Sequence, residues 1–290
     1  MLLDALDRSS RLVKDHSSLG QEWGKSTVLA YSKQDQHFQR LIDLAHRHRW
    51  SVDDFDWQGV DLRSIPVHLR QGAANMFTQL LYGEITALVG AARLVAKHHS
   101  PLVQDFLRIQ LEEESRHVEW FAHLIDKLGC EGKVNDSVLT LIDSVLDCDS
   151  TEGLVVGLHI LVEGMAHSMF MEGARAFSKA NKLASFMRPY RTAKKIVVDW
   201  MPDYLGKDES RHIAFGTRYL SQRVPDLCPA KRRRLENQID VWAGLYQQAA
   251  YDPDVWPADG LDGTAIANRC VDTINHRLKI IGFEARIPKK

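Results

Sequence analysis

The chain has 290 residues, with 37 basic against 38 acidic side chains and a formal charge of −1. That balance points to neither nucleic acid nor a membrane surface as a partner. Hydrophobic residues make up 44% and charged residues 26%, as in a soluble globular domain with enough chain for a large core. The start, MLLDALDRSSRLVKDHSS, is too charged for a signal peptide, and no apolar run reads as long enough to cross a bilayer. Cys130, Cys148, Cys228 and Cys270 are widely spaced, without a C-x-x-C. This argues against a cysteine zinc site and predicts free thiols in a reducing cytoplasm.

In chain order, residues 1–33 carry only a weak amphipathic signal from Leu2, Leu3 and Leu12. A helix is predicted from about Lys33 to Trp50, with Phe38, Leu41, Ile42 and Leu44 on its apolar face. Residues 51–65 read as a loop. A long helix follows from Pro66 to about His99, its apolar positions recurring every three or four residues and Glu84 in the middle of that face. The next opens with Ser100 as N-cap and Pro101 in the first turn, ends at Gly129, and carries Glu114 and His117. A shorter helix spans about 135–148. The segment from Thr151 to Ala180 is apolar nearly all round, as a helix inside a domain should be, with Glu163 as its buried acid. A fourth long segment reaches Arg223, with Pro202 marking a kink or its true start. Helices at about 229–250 and 264–281 complete an all-α reading, separated by a Pro/Asp/Gly loop at 251–263. One domain over residues 1–290 is the economical organisation, with an N-terminal extension 1–65, core helices 66–223 and C-terminal helices 226–290.

Two pentapeptides dominate this frame, EESRH from residue 113 and DESRH from residue 208. Each puts a Glu and a His at i and i+3, on one helix face about a turn apart. A lone Glu-x-x-His is a weak signal, equally at home on a solvated helix surface. Two near-identical copies are stronger, and acids at Glu84 and Glu163 inside apolar helix faces are stronger still, because buried carboxylates need partners. In order, Glu84, Glu114, His117, Glu163, Glu209 and His212 form the set E, ExxH, E, ExxH, which holds two iron or manganese ions in helical bundles. Asp208 is placed to accept the second ring N–H of a ligand His, and Arg116 and Arg211 to pair with outer carboxylates.

This pattern resembles the ferritin-like superfamily, specifically its di-iron carboxylate oxidases and oxygenases together with the ribonucleotide reductase small subunit. The likeness covers about 66–223, and DESRHIAFG at 208–216 is closest to the reductase-like branch. It implies a ferritin-like four-helix bundle around two iron ions, or one manganese and one iron, with O2 as co-substrate. It also implies a small organic substrate and an electron donor such as a ferredoxin or reductase. Dimers are common in this superfamily, and a homodimer is one reading of the association state.

Departures from the pattern narrow the branch. Reductase small subunits usually place a radical-forming Tyr four residues after the first ligand His; here that position is Phe121. Their docking tail is acidic, whereas GFEARIPKK is basic. Thr86 and Leu158 cannot form the Val–Tyr crosslink of the ligand-binding oxidases, and Leu205 replaces the extra His of the N-oxygenases. His159, Glu163 and His167 share one helix face. His167 occupies a position that faces the oxygen site in the family's hydroxylases. It is a candidate proton donor or further ligand, or else a core His. Gly83, Gly164, Gly206 and Gly216 flank ligand positions, where they serve close packing, a π-bulge or room for substrate. The basic run KRRR at 231–234 reads as a solvated helix start, with an acidic carrier protein or RNA as the alternatives, neither of which the −1 net charge supports. Three functions stay open: an O2-dependent oxidase or oxygenase, a radical-generating subunit, and a ferroxidase without organic substrate.

Overall fold

The computed structural model describes residues 36–98, 100–180, 188–252, 262–284 and 286–290. The weak helix expected before residue 33 and most of the loop at 251–263 lie outside them. Every regular element among the described residues is helical.

Helix α1, Gln36–Arg47, buries Phe38, Leu41, Ile42 and Ala45, the i, i+3, i+4, i+7 stripe of an amphipathic helix. Ser51 then caps a short 3-10 turn, Val52–Asp54, in a reciprocal capping box with Asp54. The rest of the predicted loop is irregular but inserts into the core. Phe55 meets Trp200 at 4.7 Å and Tyr204 at 4.9 Å between ring centroids, and Trp57 meets Trp120 at 5.8 Å.

Helices α2, Val67–Lys97, and α3, Pro101–Leu128, pack as an antiparallel pair, the arrangement a three-residue connection imposes. Ser100 holds the N-cap position of α3, but its side chain makes no capping bond. On the other side of the junction, the Gln104 amide donates to the His98 carbonyl at 2.7 Å and the Val95 carbonyl at 3.3 Å, satisfying end carbonyls of α2. Gly129 closes α3 with φ 61°, the left-handed cap that favours glycine. Helix α4, Asp136–Leu146, starts on the Asn135 side chain, which accepts from Ser137 N at 2.8 Å.

The central helix begins as α5, Thr151–Val155, passes through a π-helical stretch, Val156–Val162, and continues as α6, Glu163–Ala180. By length and composition Thr151–Arg175 would span a bilayer, which corrects the reading that no apolar run is long enough. The share of its most apolar window buried within the fold is 89%, so this surface serves the protein core. The fourth segment comprises α7, Arg188–Lys194, a π-helical stretch, Lys195–Trp200, a single turn, Met201–Asp203, and α8, Leu205–Arg223. Pro202 therefore sits in the break that precedes the helix carrying Glu209 and His212. Helices α9, Pro229–Ala250, and α10, Gly263–Ile280, cover the central helix. Arg232 of the basic run is not merely solvated. It donates to the Gly282 carbonyl at 2.7 Å and lies over the Phe283 ring, tying down the C-terminal tail.

A Cβ on Gly157, in the first π-helical stretch, would lie 2.7 Å from Val145 Cγ1 and 3.3 Å from the Trp242 ring. Gly244, on an exposed turn of α9, would meet nothing within 4 Å. We predict opposite signs from the same chemical change. Gly157→Ala lowers stability by about 1–2 kcal/mol through overpacking, and Gly244→Ala raises it by up to about 1 kcal/mol. Chemical denaturation of the two variants checks this.

Candidate metal centre

Four helical segments aim side chains at one point in the core. Helix α2 supplies Glu84, α3 supplies Glu114 and His117, the start of α6 supplies Glu163, and α8 supplies Glu209 and His212; all six are buried. Their donor atoms form two groups, each within 4.8 Å: Glu84, Glu114, His117 and Glu209, and then Glu114, Glu163 and His212. Glu114 belongs to both.

Both imidazoles point Nδ1 inward. His117 Nδ1 lies 3.1 Å from Glu84 Oε2 and 3.3 Å from Glu209 Oε1, and His212 Nδ1 lies 3.1 Å from Glu114 Oε1. Their Nε2 atoms point outward. His117 Nε2 donates to Asp208 at 3.2 Å and His212 Nε2 to Glu113 at 2.8 Å. Each pentapeptide thus provides the outer acid for the other's His. Arg211 links the two acids, donating to Glu113 at 2.6 Å and to Asp208, while Arg116 lies 3.8 Å from both. These partners fix ring orientation and turn both inward nitrogens toward the central carboxylates.

The electrostatics describe a site short of positive charge. Burial, then the Glu209 charge, drives the Glu84 carboxyl well above its usual range, and burial with the neighbouring acids does the same to Glu163. Burial and the Glu114 charge raise Glu209. Burial alone would raise Glu114 too, but the imidazoles of His212 and His117 hold it below its ordinary value. Both imidazoles are pulled well above theirs by surrounding carboxylates, against the effect of burial. Asp208 falls to about 2: burial opposes the drop, and His117 and Arg211 overcome it.

One oxygen of Glu84, one of Glu114, one of Glu163 and both of Glu209 are buried without a hydrogen bond, as is His212 Nδ1. Orphaned buried oxygens are costly. Hard oxygen donors with imidazole suit iron or manganese, and four carboxylates match the charge of two divalent ions. The residues present therefore fit a two-metal group.

Three contributors had little or no local signal in sequence. Gln110, fully buried, donates to Glu163 at 2.6 Å and Glu114 at 3.2 Å, and accepts from His159 Nε2 at 3.0 Å. Carboxylates accept only, so these partners fix which end of the amide faces inward. Burial, reinforced by His212, lowers His159 to about 3 and keeps it neutral. Gly216 makes room for this ring, since a Cβ there would sit 2.3 Å from His159 Cβ. Glu113 was legible only by matching it to Asp208 in the paired pentapeptides. Trp50 had no signal at all: it donates to Asp208 at 2.8 Å and stacks on His117, centroids 5.9 Å apart.

The remaining candidates lie around the cluster. Phe121 packs among Phe77, Trp120 and Phe170. His167 is outside both donor groups and donates from Nε2 to Ser210 Oγ at 3.0 Å. That hydroxyl spends its own proton on the Gly206 carbonyl. Burial and nearby Arg277 lower His167 to about 4.

No protein-family model and no curated protein matches the sequence. Solved structures do match the fold. Dimanganese(II)-NrdF from Streptococcus sanguinis superposes with a TM-score of 0.70 at 13% identity, over 88% of this chain and 92% of that one. An R2-like ligand-binding oxidase from Sulfolobus acidocaldarius gives 0.60 at 19% identity, over 84% and 89%. A variant R2-like ligand-binding oxidase with an Mn/Fe cofactor gives 0.58 at 18%, over 86% and 94%. The chain has the ferritin-like helical fold of these di-metal proteins, with a buried carboxylate and imidazole cluster at its centre.

Proposed function

We propose that this chain is an O2-activating oxidase or oxygenase that holds two iron ions, or one manganese and one iron, and acts on a small organic substrate. The observation that carries this reading is the buried six-residue cluster with its unpartnered oxygens and shared Glu114. Glu84, Glu114, His117 and Glu209 would hold one ion, and Glu114, Glu163 and His212 the other. The pair, when bound, supplies electrons and open coordination positions for reductive activation of O2. The chain supplies the rest. Asp208 and Glu113 hold the imidazole tautomers, and Gln110 restrains Glu114 and Glu163 on one side. Aromatic packing from Trp50, Phe55 and Trp57 limits water on the His117 side.

A radical-generating subunit is the second reading, favoured by the hydrogen-bonded line from Trp50 through Asp208 to His117. Rapid mixing of the reduced, metal-loaded protein with O2, followed by electron paramagnetic resonance, separates the two. A long-lived protein radical supports the second reading; its absence, with O2 consumed, supports the first.

Anaerobic reconstitution should give two metal ions per chain by mass spectrometric metal analysis, and Glu114→Ala one or fewer. A wild-type value below two would sink the metal assignment. Asp208→Asn should keep the fold and weaken metal affinity by roughly 10–100-fold, read from competition with a chelator.

Association as a homodimer is part of the proposal. Tyr82, Ile85 and Val89 lie exposed along one face of α2. Light scattering should give twice the 33.0 kDa chain mass, and a monomeric mass overturns this element.

A further inference from the structure

A small cleft of about 40 Å³ opens between α2, α4 and the central helix, room for roughly three water-sized groups. Its walls include Gly83, Leu141, Val162, Met165 and Met169, and among the described residues Gln79 is the one polar side chain that lines it. Gln79 is 4% exposed, and neither its amide nitrogen nor its amide oxygen has a hydrogen-bond partner. An amide left this way in an apolar wall costs stability, and the cleft offers a water no second polar side chain to hold it. Two wall residues are chain neighbours of cluster acids: Gly83 directly precedes Glu84, and Val162 directly precedes Glu163. A Cβ on Gly83 would meet only Val162 Cγ1, at 4.0 Å, so packing does not require glycine there.

We propose that this cleft seats an uncharged aliphatic segment of the substrate, and that Gln79 grips one neutral hydrogen-bonding group on it. Neutrality follows from the walls, which hold no charged side chain to pair with a carboxylate or ammonium. Aliphatic character follows from a lining of branched side chains and flexible thioethers without an aromatic ring. An amide or alcohol satisfies both ends of Gln79 in a way a hydrocarbon cannot. Naming the occupant as substrate rests on the oxidase reading of the neighbouring cluster.

The test uses the full chain with 13C-labelled methionine methyl groups, before and after loading with zinc(II), which keeps the signals sharp. The probes are butanamide, butan-1-ol and butanoate, and the readout is the shift of the Met165 and Met169 methyl resonances. The amide and the alcohol should bind with a Kd at least tenfold below that of butanoate. Gln79→Leu should remove that preference, and Gly83→Val should abolish binding of all three. Gly83→Ala, which meets only Val162, is the milder variant; it should fold with an unchanged or raised Tm and bind the probes more weakly than wild type. No shift of either methyl in the wild type overturns the proposal, and so does an amide preference that survives Gln79→Leu. Metal counting on the same samples keeps the two claims apart. Two ions bound with silent methyls removes the cleft and leaves the cluster reading; responsive methyls without metal does the reverse.

Discussion

Four carboxylates buried within a few ångströms of one another are the constraint on which this structure depends. Glu84, Glu114, Glu163 and Glu209 sit in the bundle core with almost no solvent contact. Isolated, each would be driven to its neutral form at a cost of several kcal/mol. The shell around them does not neutralise them. Glu113 and Asp208 are balanced by Arg116 and Arg211, so the outer ring is close to neutral. His159 is uncharged, and Gln110 brings a dipole only. Positive charge must come from the inner imidazoles, from protons, or from cations. The inward Nδ1 atoms, already held by hydrogen bonds on their far side, are arranged for the third solution.

The near-symmetry of the two pentapeptides hides an asymmetry in what surrounds them. On the His117 side stand three carboxylates and a ring stack that includes Trp50. On the His212 side stand two carboxylates, with Phe106 edge-on to the imidazole and stacked on Phe215. Gln110 and His159 belong to this second side as well. Two ions bound here would experience different donor counts and different polarity. The π-helical stretch Val156–Val162 ends directly at Glu163, and such interruptions cluster at functional sites because they re-aim a side chain without ending the helix. Among the described residues, the His212 group is thus both the poorer in donor side chains and the one whose helix is locally deformed.

Most helices were legible from apolar periodicity and from Pro and Gly at their ends, because these signals are local and the helices are long. The six inner residues were legible because Glu-x-x-His recurs and because an acid inside an apolar face is conspicuous. What stayed hidden depends on tertiary contact. Trp50 lies in a stretch that reads as a helix end, and only the fold carries it to Asp208. Gln110 shares a face with Glu114, yet a glutamine in a helix has a dozen ordinary explanations. Ser100 does hold the predicted N-cap position, without a side-chain bond, while the contribution of Gln104, whose amide satisfies carbonyls at the end of the preceding helix, had no local signal. Hydropathy alone could not say what Thr151–Arg175 packs against, because it measures what a helix could bury, not what it is buried against.

Of the glycines around the cluster residues, Gly83, Gly164 and Gly216 separate into two physical kinds. At Gly164 a Cβ would lie 2.5 Å from Ile274 and 2.7 Å from Arg277, and at Gly216 it would strike His159. Packing alone accounts for these. At Gly83 the added atom meets nothing closer than 4.0 Å, so an alanine would gain about 1 kcal/mol of helix propensity without a clash. Gly173 and Gly244 are as unconstrained, and an open neighbourhood is not by itself a reason for glycine. Gly83 differs in what its missing side chain leaves open. The space belongs to a cleft whose one polar wall residue is unsatisfied, one residue from a cluster acid. Helix stability forgone beside Glu84 leaves that space open, and the proposed occupant, rather than a side chain, would complete the packing there.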